Sequence, residues 1–219
     1  NYGNSRIHTV ELENLEPNTR YYYRVVLGNY ESYSDLYDFI TPPNPSSEAS
    51  FRIIAMSDMQ RDNSNPNKFN EVIHDGVIDY ISEEHSDDLA GELAMVLVTG
   101  DLVVTGSSYY QWQDHFFGPS EDLFSHVPLY PVFGNHEQNT NYFIKYFHLP
   151  DNGTPGYEEH WYNADLTEKI RNVIIEDGGF FRTQSLFSRY PLNYERENIV
   201  LKIYPHHYMY ATELALNMK

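Results

Sequence analysis

The chain has 219 residues, with 14 Lys and Arg against 32 Asp and Glu and a formal net charge of -18. That balance argues against nucleic acid as a main partner, because phosphate backbones recruit basic side chains. It leaves phosphate esters open, since bound divalent cations invert the local field. There is no Cys, which removes disulfides and thiolate metal sites, and no apolar run approaches the roughly 20 residues of a membrane-spanning helix.

Residues 1–41 read as β structure. Ile7, Thr9 and Glu11 alternate with His8, Val10 and Leu12, Glu16-Pro17-Asn18 marks a turn, and Tyr21 to Val26 alternate again. A turn near Gly28-Asn29 leads to a third run, Leu36 to Ile40. Residues 42–50, with Pro42, Pro43 and Pro45, form a stiff spacer. The region 51–219 then changes character. Phe51–Met56, Met95–Thr99 and Leu129–Phe133 are short apolar runs ending in a polar stop, as expected of parallel strands buried on both faces. Between them, Phe69, Val72, Ile73, Val77, Ile78 and Ile81 predict a helix over 67–84. Shorter helices are predicted at Tyr109–Phe117 and Glu121–Phe124, and a loop or helix over 139–147. Residues 150–164 read as a loop, Arg171–Ile175 as a strand, and Ile199–Tyr204 as a last strand ending at Pro205-His206-His207.

The polar stops carry the chemistry. They are Ser57-Asp58-Met59-Gln60, Gly100-Asp101 and Gly134-Asn135-His136-Glu137. In open α/β sheets ligands bind just beyond the carboxyl ends of the strands, so these residues converge on one rim. Oxygen donors with imidazole suit a metal site. Two divalent ions about 3.5–4 Å apart cleave phosphoesters, and the bridging place between them suits a carboxylate such as Asp101. Asp58 and Gln60, two apart, share a face of an extended chain. Asn135 offers an amide oxygen and His206 an imidazole from a fourth strand end, while His136 points differently and is left to meet substrate.

Asp-x-Gln, Gly-Asp and Gly-Asn-His-Glu, in this order and each after an apolar run, resemble the motifs of calcineurin-like metallophosphoesterases. Leu15 to Tyr23 resembles the tyrosine-corner stretch of a fibronectin type III module, which points to the purple acid phosphatase-like branch. The resemblance implies an α/β metallophosphoesterase-type α/β/β/α sandwich, preceded by a partial all-β fibronectin III-like sandwich. It implies Asp58 and Gln60 on a first metal, Asp101 bridging, Asn135 and His206 on a second, and His136 acting on the transition state or leaving oxygen. The cofactors would be two divalent or trivalent ions (Fe, Mn or Zn), with a metal-bound hydroxide attacking a phosphate ester. Glu137 would orient its neighbours. Such leaders on this enzyme class imply an extracytoplasmic location.

Three departures accompany the resemblance. Gln60 stands where the family usually has His. Val104 stands where the purple enzymes have an iron-binding Tyr, so no charge-transfer colour is expected. No Gly-His-x-His follows His206 before Lys219, so each ligand set is one His short and an incomplete chain is expected. Asp58 and Asp101 as mere helix caps is the plainer reading, and His206 leads over His207 as the ligand. A non-catalytic extracellular adhesion or assembly protein that keeps the scaffold is the rival function, with binding of phosphorylated ligands without turnover as a further one.

Overall fold

The computed structural model describes residues 7–27, 32–44, 46–47, 49–61, 63–132, 134–137, 140–149, 162–164, 173–175, 199–206 and 209–216. In the leader, β1 (Arg20–Tyr23) pairs antiparallel with β4 (Tyr37–Ile40), Arg20 opposite Ile40, and β2 (Val26–Leu27) pairs with β3 (Ser32–Tyr33). The pair β1–β4 is held by cross-strand rings: Tyr21 stacks on Phe39 at 5.7 Å and Tyr23 lies 5.5 Å from Tyr37. The Tyr21 hydroxyl accepts the Glu16 N–H at 2.9 Å, five residues upstream, which is the bond of a tyrosine corner. Residues 7–12 form no strand: their side chains stand exposed and, among the described residues, no strand pairs with them, so alternation there did not become structure.

The main body opens with β5 (Phe51–Met56), followed by a helical run made of α1 (Lys68–Glu71), a π-helical segment Val72–Ile78 and α2 (Asp79–Glu84). A short α3 (Leu89–Glu92) precedes β6 (Met95–Val98). A second helical run joins α4 (Tyr109–Gln111), a π-helical segment Trp112–Phe117 and α5 (Gly118–Phe124), and leads to β7 (Leu129–Pro131) and α6 (Asn141–Tyr146). The sequence splits that second run at Gly118-Pro119. The structure carries it through Pro119 without a break, directly after the π-helical segment. The chain ends in β8 (Tyr162–Ala164), β9 (Val173–Ile175), β10 (Ile199–His206) and β11 (Met209–Leu216). Three of these differ from expectation. Tyr162–Ala164 is strand rather than loop, β10 runs through Pro205 to His206, and β11 carries no signal that marked it as a strand. Among the described residues β10 is an edge strand, where Pro205 is tolerated.

One sheet organises the body, in the order β10-β11-β5-β6-β7. β5, β6 and β7 are parallel, and β11 is antiparallel to both its neighbours. It is a mixed α/β sheet whose parallel part matches the three predicted runs. Ile54, Met56, Val96 and Val98 face the helices and join Phe69, Ile73, Val77, Ile81, Trp112, Phe116 and Phe143 in one core. Ile53 and Met95 pack on the other face with Phe51, Leu97 and Tyr130. Phe69 stacks on Phe116 at 5.3 Å, and buried Trp112 donates its indole N–H to the Gly106 carbonyl at 2.7 Å. Each such buried aromatic side chain contributes about 2–3 kcal/mol by area.

The leader is tied to the body through polar groups. Arg20 bridges Asp38 on β4 and Asp88, Tyr23 donates to the Ser125 carbonyl at 2.8 Å, and Tyr37 donates to Glu121 at 2.6 Å. The bond to Glu121 pushes the Tyr37 phenol up to about 12. Asp88 does two jobs, since its carboxylate also caps α3 by accepting the Gly91 N–H at 3.1 Å. Asp88→Ala is therefore expected to cost about 1–2 kcal/mol in urea denaturation. Asp88→Asn, which keeps the cap and loses only the ion pair, is expected to cost less than half of that.

Candidate active site

Two backbone conformations mark the rim. Asp58, just past β5, has φ 55°, and Asp101, just past β6, has φ 56°. Non-glycine residues seldom hold the left-handed region, and Asp is among those that can. Two such residues at the ends of adjacent parallel strands make stored backbone strain at a working site the natural reading. The two turns lean on each other: the Asp58 N–H reaches the Gly100 carbonyl at 3.4 Å, and the Gln60 N–H reaches the Asp101 carbonyl at 3.2 Å. Neither Asp caps a described helix.

The third motif is locked onto the second by one buried carboxylate. Glu137 is fully buried, and it accepts the Asp101 N–H (2.9 Å) and Gly134 N–H (2.9 Å) on Oε2 and the Val103 N–H (3.0 Å) on Oε1. The expected orienting role of Glu137 thus has a physical form: it satisfies three backbone donors of two loops. Burial pushes its carboxyl up, and those N–H bonds oppose the rise. Gly134 and Gly106 are the close approaches. A methyl on Gly134 would overlap the Asp101 backbone N and Oδ1, and one on Gly106 would stand 2.7 Å from the Glu137 Cα.

Asp101, 8% exposed, accepts the His136 N–H on Oδ1 at 3.1 Å. Burial pushes its carboxyl up against the pull of that bond, and the neighbouring Asp58 carboxyl, within hydrogen-bonding range, adds to the rise. The Asp58 carboxylate also accepts the Ser57 hydroxyl at 2.6 Å. The imidazole of His136 meets the Val104 carbonyl at 2.6 Å through Nδ1. A carbonyl only accepts, so Nδ1 carries the proton and Nε2 is the nitrogen left to face a ligand. Val104 is exposed at the place where the purple enzymes are expected to have Tyr, and its backbone serves His136.

One atom tests whether a cation fits here. Gln60 Oε1 is buried and has no hydrogen-bond partner. A buried amide oxygen without a partner, on a turn whose backbone meets that of Asp101, is the type of oxygen donor a hard cation takes. Asp58, Gln60 and Asp101 belong to two turns joined by backbone bonds, and Asn135 stands between Gly134 and His136, both of which meet Asp101. Among the described residues no group of three or more His, Cys, Asp or Glu stands ready for a metal.

For His206 the structure describes the backbone. Extending the β11–β5 register from Thr212 opposite Ala55 by three residues sets Met209, and with it His206, level with Asp58. The His206 backbone is therefore at the same rim. In the sheet order β10 lies two strands from β5 and three from β6, whose end carries Asp101. His207 lies outside the described residues. Lys68, which the sequence reading passed over, donates from Nζ to the Asp58 carbonyl at 2.5 Å. The signal that could have found it is a basic residue opening a helix, where the dipole favours an acid.

A family model described as calcineurin-like phosphoesterase matches residues 51–213. The chain belongs to the calcineurin-like phosphoesterase family. The purple acid phosphatase N-terminal domain model matches residues 1–41, in line with the branch expected from the leader. One curated relative of the phosphoesterase chain, from Arabidopsis thaliana and named probable inactive purple acid phosphatase 27, is 30% identical over 139 residues. The match takes in 61% of this chain and 22% of the relative. A purple acid phosphatase, PPD1, isolated from yellow lupin (Lupinus luteus) seeds, shares the fold with a TM-score of 0.50 at 22% identity. That match covers 71% of this chain and 30% of the lupin chain. The phosphoesterase chain thus spans less than a third of either relative.

Proposed function

We propose that residues 51–219 form the greater part of a metal-dependent phosphate-ester hydrolase, with residues 1–41 as a fibronectin-like leader and 42–50 as the spacer. The observation that carries this reading is the pair of left-handed aspartates, Asp58 and Asp101, closing on each other at the ends of parallel β5 and β6. Asp58, Gln60, Asp101 and Asn135 would hold the cations, of which the full site takes two. His206, expected with Asn135 on the second cation, is kept as a donor at the end of β10. Bound cations supply Lewis acidity and a water acidified for attack on phosphorus. The rest is the work of the chain's own groups. Asp101 fixes the His136 backbone, the Val104 carbonyl fixes the imidazole tautomer, and Nε2 of His136 is presented to the phosphoryl or leaving oxygen. Glu137 keeps both loops in register. By analogy with the class, the site works outside the cytoplasm on a phosphomonoester or diester.

His136→Ala is expected to lower metal-dependent hydrolysis of an aryl phosphate by at least about 100-fold, the lower end of what a positioned acid or base contributes. Asp101→Asn, which removes a charge that would hold the cations, is expected to lower it at least as far. Far-ultraviolet circular dichroism should be unchanged. Variants that stay fully active would sink the assignment.

A second reading has its own support. Gln60 offers a neutral amide where a stronger donor would serve, and the Arabidopsis relative carries the words probable inactive in its name. On that reading the chain is an extracellular adhesion or assembly scaffold. Elemental analysis separates the two, because the enzyme should hold about two transition-metal ions, whereas the scaffold need hold none.

A further inference from the structure

We infer that Lys68 is a phosphate-binding residue of this site, its ammonium meeting a non-bridging oxygen of the phosphoryl group held at the Asp58–Asp101 corner. The inference rests on the phosphoesterase reading and goes beyond it, since neither the ligand set nor His136 includes Lys68.

Position comes first. The left-handed turn at Asp58 carries the chain from the end of β5 towards α1, and Lys68 Nζ closes that turn by donating to the Asp58 carbonyl at 2.5 Å. The ammonium is therefore fixed at the rim by the backbone of a residue whose side chain points into the acidic corner. Valence comes second. An ammonium has three donors, and among the described residues the Asp58 carbonyl is the single hydrogen-bond partner of Lys68 Nζ. Two N–H groups remain for a ligand.

Charge is the third ground. The chain has more than twice as many acidic as basic residues, so carboxylate partners are plentiful. Lys68 forms an ion pair with none among the described residues. It also sits in the first turn of a helix, where the positive end of the macrodipole opposes a cation, and Asn67 at the N-cap makes no side-chain bond to relieve it. A cation kept at an unfavourable place, without an ion pair and tethered to the backbone of the Asp58 turn, is accounted for by an anionic ligand that arrives from solvent. Lys68 would add charge-assisted hydrogen bonds to a phosphoryl oxygen beside the cations that Asp58 and Asp101 hold on the phosphoesterase reading.

Calorimetric titration of the full chain tests this with two separate probes, Mn²⁺ alone and then inorganic phosphate on the Mn²⁺-loaded protein. Lys68→Met is expected to leave Mn²⁺ affinity within about twofold and to weaken phosphate about tenfold, the worth of one hydrogen bond to a charged group. Lys68→Arg should restore most of the loss. Unchanged phosphate affinity in Lys68→Met overturns the inference. So does a parallel loss of Mn²⁺ and phosphate, which would make Lys68 a mere tether of the Asp58 turn, and so does wild-type protein that binds Mn²⁺ but no phosphate. A wild type that binds phosphate through Lys68 yet hydrolyses no ester would refute the hydrolase reading while leaving the inference standing.

Discussion

Glu137→Ala is expected to be the most damaging single substitution in the described part of the chain. It removes a fully buried carboxylate and orphans the N–H groups of Asp101, Val103 and Gly134 at once. Each buried donor left unsatisfied costs about 1–3 kcal/mol, so the sum is on the order of 5 kcal/mol, comparable with the whole stability of many domains. The expected result is a chain without a cooperative urea transition, or one with its midpoint near zero denaturant. Glu137→Gln separates hydrogen bonding from charge. The amide oxygen can serve the two donors now on Oε2, while its NH₂ faces the Val103 N–H, so a loss of about 2 kcal/mol is expected. If Glu137→Ala unfolds at the wild-type urea midpoint, the carboxylate is not what joins the two loops.

Gly134→Ala is expected to disable the site through backbone displacement. The added methyl would overlap the Asp101 N and Oδ1 atoms. Asp101 cannot yield easily, because its N–H is held by Glu137 and its Oδ1 by the His136 N–H. Overpacking of this kind costs about 1–3 kcal/mol. The larger effect should be on function, since a shift of about 1 Å in a positioning group can cost 100-fold in rate. Hydrolysis and Mn²⁺ affinity are expected to fall together while the fold survives, as seen by circular dichroism. Wild-type Mn²⁺ affinity in Gly134→Ala would mean that the Asp101 turn is more compliant than its bonds imply.

The parallel strands were legible because burial on both faces leaves an unmistakable apolar run, as in Ile53 to Met56 and Met95 to Val98. The long first helix was legible from its spacing of buried residues. Residues 7–12 show the limit of alternation, which becomes a strand only when a partner supplies the ladder. β11 was missed because its pattern, MYATELAL, mixes Ala, Glu and Leu, which favour helix; pairing with both β5 and β10 decides it. At the site, residue types and spacing placed Asp58, Gln60, Asp101, Asn135 and His136 on one rim. They could not give the strand order, which alone says which edge His206 occupies. Nor could they reveal Lys68, whose role depends on a turn conformation that no pattern of side chains encodes.

The left-handed turns at Asp58 and Asp101 have a consequence for how such a protein drifts over generations. Asn adopts that conformation as readily as Asp, so one nucleotide change could erase a negative charge with no penalty to the backbone. β-branched replacements would be purged for strain, but the amide would pass unnoticed by folding. Descendants of this architecture can therefore lose turnover and keep their shape, and a silent lineage would look, to every probe of structure, like a working one.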